Sequence, residues 1–227
     1  MITIFFKKIK NTFLTPTYSS KTLLELFEID NFFYKFFSKV FWFLPNNSQL
    51  RYWKNAENLN HGYQKFIKMD FLSQKILETI LKHSNKNDKI LDICCNAGRV
   101  LNELDSKDYI NLYGFDINKE AIKNSDKIFE FKNNVQLSVD TAENYLDNKD
   151  DNYFDVTYSL GASLELIPSH YNLVYNISRI TKKYHICLIN ENGHAYPRFW
   201  RYEFKKFFSS INCISIESNR TLFILKK

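Results

Sequence analysis

The sequence predicts an α/β fold, with helices on both faces of a mostly parallel sheet. Lys89–Cys94 and Phe154–Leu160 are short apolar runs with the composition of buried strands, whereas Arg99–Leu104 has the apolar spacing of a helix. Strand and helix patterns alternate along the chain, which is typical of βαβ units. With 227 residues the chain accommodates one such domain and a small extension.

Apolar periodicity and turn residues predict the other elements of the fold. The predicted helices are Met69–Lys82, a helix from an N-cap at Asn118 to Phe129, Tyr171–Lys182 and Arg198–Phe208. The predicted strands are one that ends at Asp116, then Val135–Asp140, Tyr184–Asn190, and a terminal hairpin of Ile211–Glu217 with Thr221–Leu225.

Charge and cysteine content exclude several classes of protein. The net charge of +6 is spread along the chain rather than gathered into a basic stripe, so no nucleic acid is expected as a partner. The four cysteines, Cys94, Cys95, Cys187 and Cys213, form no C-x-x-C pair and no His/Cys metal spacing. We therefore expect a reduced cytoplasmic protein without a metal site. No cleavable signal peptide is evident.

Residues 1–48 differ in composition from the rest and are predicted to form a helical N-terminal extension, with the main domain at residues 49–227. Residues 1–45 hold ten of the 21 phenylalanines, and the aromatic segment Asn31–Leu44 is too short to span a bilayer, which needs about 20 residues. Two interpretations remain open: a helix that packs on the domain or on a second subunit, or one that lies peripherally in a membrane interface.

Residues 89–116 have the strand, turn, helix, strand layout of a nucleotide-binding unit. Asp116 follows Gly98 by 18 residues and closes the second strand, where a carboxylate can accept both ribose hydroxyls of an adenosine cofactor. A dinucleotide site needs G-x-G-x-x-G, but the turn here reads Asp92-x-Cys94-x-Asn96-x-Gly98. Because Asp92 would repel a pyrophosphate, the turn suits a cationic or zwitterionic ligand, and a nicotinamide oxidoreductase is disfavoured.

This turn resembles motif I of the class I S-adenosylmethionine-dependent methyltransferases, D/E-x-G-x-G-x-G. The string C-N-A-G-R followed by V-L-N-x-L is also similar to a bacterial branch of that family in which G-C-N-x-G-R-N-L-N is usual. Cys94 and Asn96 replace two glycines, and each added Cβ narrows the approach of a ligand to the backbone. Asparagine tolerates a positive φ, so Asn96 is still expected to make the turn.

A second motif, F-D-V-x-x-S-L-G-x-x-L-E-x-I-P at residues 154–168, resembles the F-D-V-V…L-E-H-I pattern of the same family. The resemblance covers about residues 50–208. It implies a Rossmann-like methyltransferase fold, whose seven-stranded, mostly parallel sheet ends in an antiparallel strand. It also implies S-adenosyl-L-methionine as the cofactor.

The resemblance further implies which residues contact the cofactor. They are Asp92, Cys94, Asn96, Gly98 and Arg99 in the first motif, Asp116 and Ile117 after the second strand, Asp140, Thr141 and Ala142 after the third, Ser159 and Leu160 after the fourth, and Tyr63 in an N-terminal lid with Tyr52 and Trp53. Two simpler interpretations stay open. The lid aromatics are also explained by ordinary packing, and Asp140 by a helix cap.

The acceptor side is predicted at the loop Glu191–Arg198, where the resembling branch has a similar H-F-P-R-N-Y stretch. His194 is the expected general base, and Tyr196 and Arg198 are expected to bind the substrate, with Arg198 pairing with a carboxylate or phosphate. A loop histidine is also explained as a solvated residue. Glu165 and Glu191 are the other catalytic candidates, although an acid that starts a helix, as expected for Glu165, also offsets the helix dipole.

The predicted activity is transfer of a methyl group from S-adenosylmethionine to a small-molecule or glycan-precursor acceptor, at oxygen or nitrogen, by in-line SN2 displacement. Such transfer mainly requires that the acceptor be positioned near the methyl group, and no metal is needed. The alternative is a non-catalytic or regulatory module that binds S-adenosylmethionine, which the replacement of two motif glycines makes conceivable.

Overall fold

Seven strands form a single sheet in the computed structural model. They are β1 (Ile90–Ile93), β2 (Leu112–Asp116), β3 (Val135–Val139), β4 (Phe154–Ser159), β5 (Thr181–Asn190), β6 (Ser210–Ile216) and β7 (Arg220–Lys226). The sheet order is β3-β2-β1-β4-β5-β7-β6. Strands β1 to β5 pair in parallel, whereas β7 runs antiparallel to both β5 and β6. The predicted α/β fold with an antiparallel last strand is confirmed.

The structure describes residues 48–56, 62–132, 134–161, 163–168, 171–191, 198–216 and 220–227. The predicted contacts of residues 1–45 and the boundary at residue 48 concern a part of the chain that is almost entirely outside these ranges, and they stay predictions. His194 and Tyr196 also lie outside the described residues. Within the described ranges, no helix has both the length and the apolar character needed to cross a bilayer.

Helices lie on both faces of the sheet. They are α1 (Ser48–Lys54), α2 (Phe71–His83), α3 (Arg99–Ser106), α4 (Lys119–Phe129), α5 (Ala142–Asp147), α6 (Leu173–Ile180) and α7 (Trp200–Lys205), with short 3₁₀ turns at Tyr63–Phe66 and Leu164–Leu166. Side chains cap three of them. The Asp70 carboxylate accepts from the Ser73 amide at 2.8 Å, the Asn118 side chain accepts from the amides of Glu120 and Ala121 at 3.1 Å, and Thr141 caps α5 as described below.

Helix α6 ends, and strand β5 begins, earlier than the sequence pattern predicted. Thr181 marks the change, because its hydroxyl contacts the Ile177 carbonyl oxygen at 2.6 Å and the Thr157 hydroxyl at 2.8 Å. A β-branched residue fits a buried strand well, and here its hydroxyl also satisfies a carbonyl near the helix end. Tertiary contact with β4 thus places in the strand two residues, Thr181 and Lys182, that the sequence pattern had assigned to the helix.

Two apolar layers hold the helices against the sheet. On one face, Ile76 and Ile80 of α2 and Leu101 of α3 are fully buried against side chains of β1, β4 and β5. On the other face, Ile177 of α6 and Trp200 of α7 belong to a cluster with residues of β1, β2, β5 and β7. Each such side chain contributes about 1.5–3 kcal/mol on burial, so both layers stabilise the strand ends that carry the cavity described below.

Gly114 lies in the middle of β2 and serves packing rather than ligand approach. A Cβ built on it would lie 2.8 Å from Leu101 Cδ1, 2.9 Å from Cys95 Sγ and 2.9 Å from Leu137 Cδ2. The missing side chain makes room for helix α3, for the turn after β1 and for β3.

We expect Gly114→Ala to lower the free energy of unfolding by about 1–3 kcal/mol, since three neighbours must move to admit the methyl group. Urea denaturation measures this loss. Lys123→Ala, at an exposed position of α4, is the control and should change stability by less than about 0.5 kcal/mol. A Gly114→Ala protein as stable as the control would contradict the close packing.

Candidate active site

A cavity of about 250 Å³ opens at the carboxyl edge of the sheet, where β1, β2, β3 and β4 end. Ligands bind parallel α/β sheets at this edge, because loops and helix ends meet there. The cavity is lined by ten of the residues predicted to contact the cofactor: Asp92, Cys94, Asn96, Arg99, Asp116, Ile117, Asp140, Thr141, Ala142 and Leu160. The structure therefore brings both motifs to one site.

The turn after β1 adopts a glycine-like backbone although it contains only one glycine. Cys94 has a φ of 61°, Asn96 of 53° and Gly98 of 90°. The turn is closed by hydrogen bonds from the Cys95 amide to the Phe115 carbonyl and from the Gly98 amide to the Cys95 carbonyl, both at 2.9 Å. Asn96 makes the turn as expected, and its side-chain oxygen accepts from the Ala97 amide at 2.8 Å. Cys94 has no such local compensation for a left-handed backbone.

Asp116 joins the end of β2 to this turn. Its Oδ2 accepts a hydrogen bond from the Asn96 amide at 2.8 Å, and its Oδ1 accepts one from the Asn118 amide at 2.8 Å. Burial raises the pKa of Asp116, while these backbone amides act in the opposite direction. Each carboxylate oxygen has more than one lone pair, so Asp116 retains acceptor capacity toward the cavity that it lines.

Asp92 is a buried carboxyl group in the cavity wall, only 4% exposed. Its Oδ1 has no hydrogen-bond partner among the described residues. Burial raises the pKa of Asp92 to about 8, the charge of Asp116 acts in the same direction, and Tyr158 and Arg99 oppose it. A buried carboxyl group without a partner is costly, and a cationic ligand group would relieve that cost.

The turn after β3 contributes Asp140, Thr141 and Ala142 to the wall. Asp140 accepts from the Thr141 amide at 2.8 Å and from the Asn144 side chain at 2.8 and 2.9 Å, while the Thr141 hydroxyl caps α5 through the Asn144 amide at 3.2 Å. Asp140 thus both stabilises the start of α5 and lines the cavity. The predicted adenine contact and the helix-cap interpretation are compatible here.

Carboxylates outnumber basic groups in the cavity wall. Two arginines line it, and one of them, Arg99, is bound to the Lys68 carbonyl at 2.8 Å and to Asp70 at 3.2 Å. The acidic residues are Asp70, Asp92, Asp116, Asp140 and Glu143. Such a wall repels pyrophosphate and attracts a ligand with an ammonium or sulfonium group, as the sequence had indicated. Among the described residues, including those of the cavity wall, no three His, Cys, Asp or Glu side chains are arranged to hold a metal ion.

Three predicted cofactor residues do not line the cavity. Gly98 closes the turn and begins α3, so its role is conformational. Ser159 is fully buried at the end of β4, and its hydroxyl has no partner among the described residues. Tyr63 lies in a 3₁₀ turn away from the wall, whereas Trp53, which was grouped with it as a lid aromatic, does line the cavity.

Glu191 and Arg198, at the two ends of the predicted acceptor loop, are engaged elsewhere. Both oxygens of Glu191 pair with Arg201 at 2.7 Å, and one also accepts from the Thr221 hydroxyl at 2.7 Å. Arg198 is 4% exposed, donates to the carbonyls of Pro168 and Tyr171 at 2.8 and 3.1 Å, and pairs with Glu203 at 3.3 Å. Neither side chain lines the cavity, so Arg198 anchors its loop instead of facing a substrate.

Glu165 also departs from the prediction. It does not start an α-helix but lies fully buried in the 3₁₀ turn Leu164–Leu166, outside the cavity wall. Its Oε1 accepts from the Asn190 amide at 2.7 Å, and burial raises its pKa to about 7. Glu165 therefore connects the turn after β4 to the end of β5, and direct contact with an acceptor is not supported by its position.

Several wall residues were not predicted from the sequence. Leu166, Ile167 and Pro168 are the last three residues of the second motif, so the motif itself was the signal that could have found them. Phe66 and Leu72 come from the segment before β1, and their apolar character alone did not distinguish them from core residues. Arg220 is the other arginine in the wall, and it comes from the distant strand β7.

Comparison with known proteins agrees with this geometry. Residues 90–184 match the model of a family described as a methyltransferase domain. No curated protein matches the chain significantly in sequence.

Solved structures with the same fold are similar over most of the chain. A magnesium protoporphyrin IX methyltransferase from Synechocystis, solved with bound SAM, has a TM-score of 0.55 at 12% identity and covers 78% of this chain and 94% of its own. A TehB-like SAM-dependent methyltransferase from Corynebacterium glutamicum has a TM-score of 0.54 at 14% identity, covering 79% and 97%. A SAM-dependent methyltransferase from Archaeoglobus fulgidus has a TM-score of 0.52 at 18% identity, covering 68% and 94%.

These identities are low enough that the structural likeness establishes the fold alone, whereas the family match bears on function. The chain has a Rossmann-like methyltransferase fold, and the predicted fold class is confirmed. The resemblance to one bacterial branch stays a prediction. The match to a methyltransferase-domain model covers less than half of the chain, and together with the fold it is the basis of the function proposed below.

Proposed function

We propose that the protein transfers a methyl group from S-adenosylmethionine to a small-molecule or glycan-precursor acceptor, at oxygen or nitrogen. The observation that carries this proposal is Asp92, a buried carboxyl group that lines an acidic cavity and has an oxygen without a partner among the described residues. The ammonium and sulfonium groups of the cofactor are the kind of charge that this wall attracts.

The described residues divide the binding task between three turns. The turn after β1, with Asp92 and Asn96, would hold the amino-acid end of the cofactor. Asp116 would accept the ribose hydroxyls, and residues 140–142 with Ile117 would bind the adenine. Bound there, S-adenosylmethionine supplies an electrophilic methyl group, so the protein's main task is to hold the acceptor in line with it and to exclude water.

Apolar side chains form the wall next to the proposed acceptor region. They are Phe66 and Leu72 from the segment before β1 and Leu160, Leu166 and Ile167 from the region after β4. A wall of this kind excludes water from a methyl group in transfer. We assign the general-base role to His194, with Tyr196 as a substrate contact, because Glu165, Glu191 and Arg198 are held away from the cavity.

For the N-terminal part of the chain we propose the organisation that the sequence predicts. Residues 1–48 would form a separate aromatic extension of the domain at residues 49–227 in a cytoplasmic protein. This extension would contact a second copy of the chain or lie on the membrane surface. Deletion of residues 1–45 tests both contacts, by sedimentation of the protein alone and in the presence of anionic vesicles.

Isothermal titration calorimetry tests cofactor binding, with micromolar affinity expected for S-adenosylmethionine and for its demethylated product. Asp116→Ala should weaken binding by about 1.5–3 kcal/mol, the range for hydrogen bonds to a charged group. Asp126→Ala, on an exposed part of α4, should leave affinity unchanged. Circular dichroism must show that Asp116→Ala remains folded, because the carboxylate also holds the turn after β1. Absence of binding at millimolar ligand would overturn the proposal.

The raised pKa of Asp92 predicts that protons are released when the cofactor binds. Without ligand its pKa is about 8, so the carboxyl group is mostly protonated at pH 7. A cationic ligand lowers that pKa, so binding releases protons at pH values between the pKa of Asp92 in the complex and its pKa in the free protein. Affinity for the ligand therefore rises with pH until about 8. Titrations in phosphate and Tris buffers should show wild type releasing up to about one proton more per cofactor than Asp92→Asn. Equal proton counts would place the ligand charge away from Asp92.

His194→Ala should lower kcat by about 10²–10⁴-fold while cofactor affinity stays within about twofold, as expected for loss of a general base. Transfer of isotope-labelled methyl groups into a metabolite extract of the host provides the assay. His83→Ala is the histidine control outside the proposed site. A His194→Ala enzyme with more than about half the wild-type rate would indicate catalysis by proximity alone. Cofactor binding without any label transfer by wild type would instead favour the non-catalytic module.

A further inference from the structure

Arg220 is the one arginine, among those whose side chains the structure describes, that pairs with no described carboxylate. Arg99 pairs with Asp70, Arg179 with Asp151, Arg198 with Glu203, and Arg201 with Glu191. No hydrogen bond or ion pair joins the Arg220 side chain to another described residue, although it is only partly exposed and lines the cavity. A guanidinium is always charged and offers five donors, so the cavity wall carries a cation that has no protein partner among the described residues.

The sheet topology explains how a residue so near the C-terminus reaches the cavity. Strand β7 runs antiparallel to β5, and Arg220 is the register partner of Asn190, the last residue of β5. The first residue of β7 therefore lies at the same edge as the carboxyl ends of the parallel strands. The next residue, Thr221, donates to Glu191, which is itself paired with Arg201. This network fixes the strand that carries Arg220.

Charge is divided between the two parts of the cavity. Four of the five acidic wall residues lie on β1, on β2 and in the segment after β3, at one side of the sheet order: Asp92, Asp116, Asp140 and Glu143. The fifth, Asp70, caps α2. Arg220 comes from β7, beyond β4 and β5. The wall residues nearest in topology to Arg220 follow β4 and are uncharged, namely Leu160, Gly161, Ser163, Leu166, Ile167 and Pro168. A cationic cofactor would thus contact the acidic wall residues, and an anionic second ligand would contact Arg220.

Glu165 is a buried acid on which the charge of Arg220 acts, but it does not neutralise the guanidinium by contact. Glu165 binds the Asn190 amide at 2.7 Å, and no ion pair joins it to Arg220. The charge of Arg220 lowers the pKa of Glu165, whereas burial, the larger effect, raises it. A purely structural role, in which Arg220 offsets the buried charge of Glu165, is therefore the competing explanation that an experiment must separate.

We propose that Arg220 binds an anionic oxygen group of the methyl acceptor, a carboxylate or a phosphate, and thereby selects acidic acceptors. This inference rests on the proposed function and names its substrate class. A guanidinium binds both groups through paired N–H donors, which also fixes the orientation of the bound molecule. Arg220 takes the role that the sequence had suggested for Arg198, whose guanidinium is already bound to protein atoms.

The test measures small anions directly and does not require the acceptor to be known. Inorganic phosphate and propionate are titrated separately into wild-type protein saturated with S-adenosylhomocysteine, at constant ionic strength, and followed by nuclear magnetic resonance shifts. We expect saturable millimolar binding of at least one anion, which shows whether the site prefers phosphate or carboxylate. Arg220→Gln should weaken that binding by about tenfold, Arg220→Lys should weaken it less, and the exposed Lys123→Gln should leave it unchanged.

The possible outcomes separate the explanations. No saturable binding of either anion to wild type, or equal affinity in wild type and Arg220→Gln, overturns the proposal. A lower melting temperature of Arg220→Gln with unchanged anion affinity would assign Arg220 to the structural role beside Glu165. S-adenosylhomocysteine affinity, measured first in each variant, should stay within about twofold of wild type. If wild type does not bind that nucleoside, the proposed function fails, while the anion titration of the free protein still decides the role of Arg220.

Discussion

Two backbone amides from different parts of the chain converge on the carboxylate of Asp116, and the geometry of the candidate site depends on this convergence. One amide belongs to Asn96 in the turn after β1, and the other belongs to Asn118 at the start of α4. The turn, the end of β2 and the next helix are thereby held in one arrangement. The hydrogen bonds to Asp116 thereby fix the positions of the cavity wall residues on both sides of it.

This convergence also explains how the turn tolerates its residues. A left-handed backbone at Cys94 and Asn96 costs about 1–2 kcal/mol for each non-glycine residue. Hydrogen bonds to an ionised group contribute about 1.5–3 kcal/mol, so the Asp116 carboxylate offsets much of that cost where it binds the Asn96 amide. Glycine would lower the cost of this conformation, and here hydrogen bonds of Asn96 and of the Cys95 and Gly98 backbone maintain the turn.

Periodicity and motifs predicted the parts of the molecule that depend on local sequence. The turn at Gly98 and the position of Asp116 at the end of β2 both follow from residues close together in one βαβ unit. The roles of Arg198 and Glu165 were not predictable in this way, because each is set by partners about 25 to 30 residues away, the Pro168 carbonyl and the Asn190 amide. The position of Arg220 in the cavity wall was not predicted, since nothing near it in sequence shows that β7 returns beside β5.

The antiparallel pairing of β7 with β5 has a consequence for how such a protein changes its substrate. Cofactor contacts are proposed for the turns after β1, β2 and β3. Arg220, which has no ion-pair partner among the described residues, comes from β7, the last strand. Substitutions at the start of that strand can alter the acceptor without disturbing the turns that hold the nucleoside. In such a domain the C-terminal hairpin, which closes the sheet, is also the segment through which new acceptor chemistry can evolve.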